Sequence, residues 1–128
     1  AGWIIRAGIV MIPQRGSIVW VDLSGGQGSE QDKTRPAIVV SNDGANSSAW
    51  SSQRGVITLV PLTSKSKRPY PFQALIRSSD SGLPRDSIAQ GEQVRSVDVR
   101  RIRATGPSLP PPVMADVERA LQVHLALW

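Results

Sequence analysis

The chain has no cysteine and only one histidine, one tyrosine and one phenylalanine in 128 residues. Without cysteine there is no disulfide, no thiolate metal site and no cysteine nucleophile. A single imidazole leaves almost no material for a Ser-His-Asp triad or a histidine-rich metal site. His124, beside Leu125 in a C-terminal apolar segment, reads as a structural or surface residue. Neither a phosphate-binding-loop signature nor a GxSxG elbow is present. Long apolar runs are also missing. The opening AGWIIRAGIVMIPQ is broken by Arg6 and closed by Pro13, short of the roughly 18 residues a membrane span needs. Its positive charge lies inside the apolar run, where a secretory signal would place it before. A cytoplasmic protein without a membrane anchor is expected. Residues 1–14 read as an N-terminal extension and 15–128 as one domain, since a chain of this size supports one core.

Positive charge is plentiful. Fifteen Lys and Arg oppose ten Asp and Glu, a net charge of +5 that biases the chain towards polyanions or acidic protein partners. The segment SIVWVDL, 17–23, alternates two faces and predicts a first strand. Residues 24–34, SGGQGSEQDKT, hold three glycines and no large apolar residue, so a loop is expected. Pro36 disfavours helix at Arg35, which sets Arg35 at the entrance of a second strand over 37–40. One helical turn is predicted at 47–52, and strands at 56–60, 72–76, 87–90 and 93–97, with a turn at 82–84. After Pro110-Pro111-Pro112, the stripe Val113, Val117, Leu121, Leu125, widened by Met114 and Leu127, predicts an amphipathic helix. The outline is mainly β: a small, curled antiparallel sheet capped by a C-terminal helix.

Several polar residues fall at strand ends: Arg35, Thr63, Glu92 and Gln93, with Lys33, Lys65, Lys67 and Arg68 close in sequence. Arginine presents a planar fork of donors that fits a phosphate bidentately and keeps its charge. Thr63 adds a short, stiff hydroxyl. The competing reading of Arg35 is a surface ion pair with Asp32. Among the aromatics, Trp20 and Phe72 fall within predicted strands and read as core, whereas Trp50 and Tyr70 fall in predicted irregular stretches and are candidates for stacking on bases.

Four pieces in order, RGSIVWVDL (15–23), KTRPAIVVSND (33–43), VITLVPLTS (56–64) and RDSIAQGEQVRSVDVRRI (85–102), resemble the MazF/PemK-like toxins of bacterial toxin-antitoxin systems. The resemblance implies a small SH3-like barrel of the MazF/PemK/CcdB type with a C-terminal helix, usually a homodimer. It implies cleavage of single-stranded RNA without a metal or other cofactor. The implied partners are single-stranded RNA and a cognate antitoxin with an acidic, flexible tail, with DNA engaged only indirectly through the antitoxin. The family's cleavage arginine and threonine fall on Arg35 and Thr63. Some relatives add a carboxylate, here Glu92, together with an arginine two residues earlier and a histidine in the first loop. This chain has Gln90 at the former position and no histidine in the loop, which leaves Glu92 either a lone base or a structural acceptor. Lys33, Thr34, Ser64, Lys65, Lys67, Arg68, Gln93 and Arg95 are the implied RNA-binding residues, and Asp98 with Arg101 reads as a structural charge pair. Two other readings stand beside this one: a CcdB-like gyrase poison without nuclease chemistry, and a non-catalytic module that binds RNA or an antitoxin.

Overall fold

The structure, a computed structural model, describes residues 11–24, 34–64 and 67–127. Seven strands and three helices follow in the order β1 (Ser17–Asp22), β2 (Thr34–Val39), α1 (Asp43–Ser52), β3 (Val56–Thr63), β4 (Gln73–Ile76), α2 (Ser78–Ser81), β5 (Ser87–Gln90), β6 (Arg95–Asp98), β7 (Ile102–Ser108) and α3 (Pro111–Leu125). All strand pairs are antiparallel, in the path β4-β5-β3-β2-β1-β7, with β6 also paired to β3. The mainly β class with a terminal helix agrees with the sequence. The path does not close among the described residues, because β4 and β7 are not paired, so the expected barrel is an open, coiled sheet.

Strand β3 organises the sheet. One edge pairs with β2, and the other with β6 over Val56–Leu59 and with β5 at Leu62–Thr63. Between β5 and β6 the chain makes a single 3-10 turn, Gly91–Gln93. The two central strands each carry a proline, which cannot donate to a ladder. In an antiparallel strand the backbone polar groups of successive residues point to alternate edges. The Val40 N–H donates to Thr58 O at 2.9 Å, so even-numbered β3 residues face β2 and Pro61 faces the opposite edge. That is the stretch where the 3-10 turn interrupts pairing.

The sheet buries side chains on both faces. Ile18, Ile38, Val60, Leu62, Ile76, Leu83, Met114 and Val117 form one cluster, beneath α3. Val19, Val21, Ala37, Val39, Ala49, Ile57, Leu59 and Val97 form a second, beneath α1. Helix α3 buries Met114, Val117 and Ala120, while Leu125 and Leu127, expected on its apolar stripe, are exposed. Helix α1 is a full 10 residues, longer than the predicted turn: Asn42 caps it by accepting from Ala45 N at 2.8 Å. Buried Asn46 is satisfied by Ser41, its Nδ2 donating to the Ser41 carbonyl at 2.9 Å. Strand β7 was not expected. It lies at the sheet edge on β1 with two register shifts, where Gly106 and Pro107 are tolerated.

The expected Asp98–Arg101 pair is not formed. Asp98 instead accepts from Arg100 Nη2 at 2.8 Å and from the Arg100 backbone N–H, which draws its carboxyl down to about 2. Arg101 donates to the Ser24 carbonyl, and Arg103 pairs with Asp22 at 3.3 Å. The depressed Asp98 pKa means its stabilising contribution is complete above the unfolded value of 3.8 and is lost as pH falls towards about 2. Asp98→Asn is expected to flatten the fall of the urea midpoint between pH 4 and pH 2, with little change in that slope between pH 6 and pH 8.

Gly91 packs between the Phe72 carbonyl and the backbone of α3. A Cβ there would stand 2.4 Å from Phe72 O and 3.5 Å from the Ala120 backbone. Because a backbone carbonyl, not a flexible side-chain tip, stands in the way, Gly91→Ala is expected to cost about 1–3 kcal/mol of unfolding free energy. Urea denaturation followed by circular dichroism measures this; an unchanged midpoint would contradict the close approach.

Candidate active site

The break in the β2–β3 ladder adjoins a cleft. Paired residues run Val39↔Leu59, Ile38↔Val60, Ala37↔Pro61, and pairing stops there. By the alternation set at Val40, just past β2, residues 38 and 36 of β2 also turn their backbone groups to β3. The next donor would belong to Pro36, which has none. The ladder therefore ends, and the strands part around a cleft of about 520 Å³ lined by Trp20, Thr34, Arg35, Pro36, Leu62, Thr63 and Ser64 together with Leu83, Pro84, Arg85 and Ser87. Continued by two residues, the register sets Arg35 opposite Thr63, and directly opposed residues project to the same side of a sheet.

Arg35 lies within β2, not at a loop edge before it, since β2 starts at Thr34 and pairs with β1 through Asp22↔Thr34 and Val21↔Arg35. The pairing with β1 holds the backbone of Arg35 while its side chain remains exposed; Arg35 Nη1 donates to the Thr34 carbonyl at 3.2 Å. Asp32, its alternative ion-pair partner, lies outside the described residues. Thr63 ends β3 and is held on its other side by the pair Thr63↔Ile88. A guanidinium and a hydroxyl thus face one open cleft from two adjacent strands. That arrangement suits a phosphodiester: the arginine supplies fixed charge and paired donors, the threonine one short donor.

Of the other expected site residues, Thr34 and Ser64 line this cleft. Lys67 lines a second one, and Arg68 is exposed outside both. Lys33 and Lys65 lie outside the described residues. The segment Glu92-Gln93-Val94-Arg95 is not brought to the cleft. Thr63 is level with Ile88, and two strand steps followed by the 3-10 turn put Glu92 on the order of 10 Å further along. Glu92 Oε2 accepts from Gln73 Nε2 at 2.9 Å, and its Oε1 is buried without a hydrogen-bond partner among the described residues. Gln93 and Arg95 are exposed on the same distant stretch, Arg95 paired to Leu59. Among the described residues Glu92 accepts from Gln73 and is not part of the lining of the Arg35–Thr63 cleft.

The aromatics also exchange places. Trp50 rests on α1 against the second core cluster, away from the cleft, and exposed Tyr70 stacks on Phe72 with ring centroids 5.3 Å apart. Trp20, read as core, both packs on the first cluster and forms part of the cleft wall. Arg85 was not singled out in the sequence, although its position in RDSIAQ, directly before a strand, parallels that of the other strand-end residues. Among the described residues no group of three His, Cys, Asp or Glu could hold a metal ion, and no helix is long and apolar enough to cross a membrane.

Residues 14–125 match the family described as PemK-like, MazF-like toxin of type II toxin-antitoxin system. The endoribonuclease MazF9 of Mycobacterium tuberculosis is 44% identical over 115 residues, which are 90% of this chain and 98% of that protein. The endoribonuclease EndoA of Bacillus subtilis is 35% identical over 117 residues, 91% of this chain and 97% of that one. A MazE-MazF crystal structure from Deinococcus radiodurans superposes with a TM-score of 0.71 at 26% identity, covering 92% and 99% of the two chains. A mycobacterial endoribonuclease in complex with its cognate antitoxin shares the fold, with a TM-score of 0.70 at 22% identity over 91% and 97% of the chains. The match extends through both central strands, the cleft between them and the terminal helix, and the chain belongs to the PemK-like, MazF-like toxin family of type II toxin-antitoxin systems.

Proposed function

We propose that the chain is a sequence-selective endoribonuclease toxin that cuts single-stranded RNA at the Arg35–Thr63 cleft by attack of the substrate's own 2'-hydroxyl. The observation that carries this reading is that Arg35 and Thr63 line one cleft beside the end of the β2–β3 ladder. The names of the relatives, endoribonucleases at 44% and 35% identity, support the reaction class.

The chemistry follows from what the cleft holds. The 2'-oxygen bonds to the adjacent phosphorus, the bond from phosphorus to the 5'-oxygen breaks, and a 2',3'-cyclic phosphate and a 5'-hydroxyl result. The proton of the 2'-hydroxyl leaves to a base, and the departing 5'-oxygen takes one up. Arg35 is suited to the charge that builds on the phosphorane oxygens, because its pKa above about 12 keeps it cationic and makes it a poor proton acceptor. Thr63 holds a phosphate oxygen so that the 2'-oxygen and the leaving oxygen stay in line. This chemistry requires no metal, in keeping with a chain that has no cysteine and one histidine.

The antitoxin is the second partner. Solved relatives include toxins in complex with their antitoxins, and an excess of five positive charges complements an acidic, flexible tail. A cytoplasmic homodimer is the working form in this reading, with DNA engaged only through the antitoxin.

The test is incubation of a long single-stranded RNA with the protein in EDTA, with fragment ends mapped by sequencing. Discrete cuts that end in cyclic phosphate are expected from the unaltered protein. Arg35→Ala is expected to lower kcat/KM at least 100-fold, roughly the weight of one lost transition-state donor, with unchanged circular dichroism because the side chain is exposed. Thr63→Ala is expected to lower it about 10-fold or more, a neutral hydrogen bond contributing less than a charged one. Equal cleavage by all three proteins would remove the site, and no cleavage of any RNA would favour a binding or gyrase-directed role.

A further inference from the structure

A second cleft, of about 540 Å³, adjoins the first and shares the wall Ser64, Pro84 and Arg85 with it. Its remaining lining includes Lys67, Leu75 and Asp86. Arg85 therefore stands between two concave sites, one holding Arg35 and Thr63 and the other holding Lys67.

The backbone around Arg85 is anchored although its side chain is exposed. Leu83 is buried in the core, Pro84 fixes its own φ, and Ser87 is buried and paired with Ile76 in β4. Among the described residues the Arg85 guanidinium makes no hydrogen bond or ion pair, so its donors are available to a ligand. Asp86 is the one acidic group in this lining, and its Oδ1 is already engaged by the Ser78 backbone N–H at 2.8 Å. With Lys67 and Arg85 against Asp86 the second cleft keeps a positive balance, and partly exposed Leu75 offers an apolar surface.

We propose that the second cleft is a subsite for the nucleotide next to the scissile phosphate, and that Arg85 is a positioning residue that clamps the neighbouring phosphodiester as the RNA strand passes between the clefts. This rests on the ribonuclease reading of the first cleft. The occupant is a continuous single strand: the two sites share a wall, both present cations, and a strand held in one carries its next phosphate towards the other. Arg85 acts by holding the strand in register with Arg35 and Thr63 and does not touch the reacting phosphorus.

The test uses Arg85→Gln and Arg85→Lys beside the unaltered protein, with an RNA carrying a mapped cut site and two shortened forms that lack the phosphate on the 5' or the 3' side of the cut. Arg85→Gln is expected to raise KM about 10-fold on the long RNA with kcat within about 2-fold. It is also expected to reduce the slope of log kcat/KM against log salt by about 0.7, the share of one phosphate contact on a single strand. Arg85→Lys is expected to restore the salt slope and part of the KM. On one of the two shortened RNAs the ratio between unaltered protein and Arg85→Gln is expected to fall towards one. An Arg85→Gln protein that cuts the long RNA like the unaltered one, or loses the same factor on all three RNAs, overturns the subsite and leaves the Arg35–Thr63 reading intact. Failure of the unaltered protein to cut any RNA would instead overturn the ribonuclease reading, and the subsite with it.

Discussion

A missing backbone donor governs the architecture. Pro36 sits in a central strand at the position whose N–H should bond β3, and the ladder ends there. Both candidate residues of the first cleft stand beside that break. Arg35 and Thr63 are neighbours because the strands remain antiparallel and in register up to it, and a ligand can reach them because the strands separate beyond it. The second proline, Pro61, does the corresponding thing on the other edge of β3. It coincides with the turn at Gly91–Gln93 that divides β5 from β6.

Both sites of interruption are supported from outside the strands. Arg35 is backed by pairing with β1, and Thr63 by pairing with β5. The turn at Gly91 rests on the Ala120 backbone of α3, and the Phe72 carbonyl on its other side leaves room only for a glycine unless backbone moves. Arg15 ties the far side of the same helix to the start of β1, through a 2.6 Å pair with Glu118 and a bond from its Nε to the Val40 carbonyl. These exposed contacts add little energy individually, but they join α3 to β1 and to the end of β2. Buried apolar clusters on both sheet faces supply the rest.

The strands with alternating β-branched residues were legible in sequence: β1, β3, and β5 at its observed bounds. The less legible elements are those whose stability comes from tertiary contact. Helix α1 shows no apolar stripe, since its only buried residues are Asn46 and Ala49, and it is specified by the Asn42 cap. Strand β7 carries two large apolar or β-branched residues, Ile102 and Thr105, and ends in Gly106-Pro107-Ser108, which reads as a loop unless β1 is there to pair with it. Arg35 and Thr63 stand out in the sequence as strand-end residues and through the family resemblance, and both fall on the lining of one cleft. The family pattern offers Glu92 as either a lone base or a structural acceptor, and the 3-10 turn Gly91–Gln93, which periodicity does not signal, sets it outside the cleft lining. Arg85 lay within a quoted segment, and only the three-dimensional wall between the clefts distinguishes it from the other arginines.

The opening at Pro36 also bears on ligand affinity. A cleft held shut by hydrogen bonds must spend part of each binding event in its open minority form, and the observed affinity is reduced by that fraction. Here the bond that would seal the strands has no donor, and no side-chain rotation can provide one. The separation of β2 and β3 was settled when the chain folded, so at this point the cleft has no zipped competitor and a ligand meets it preorganised.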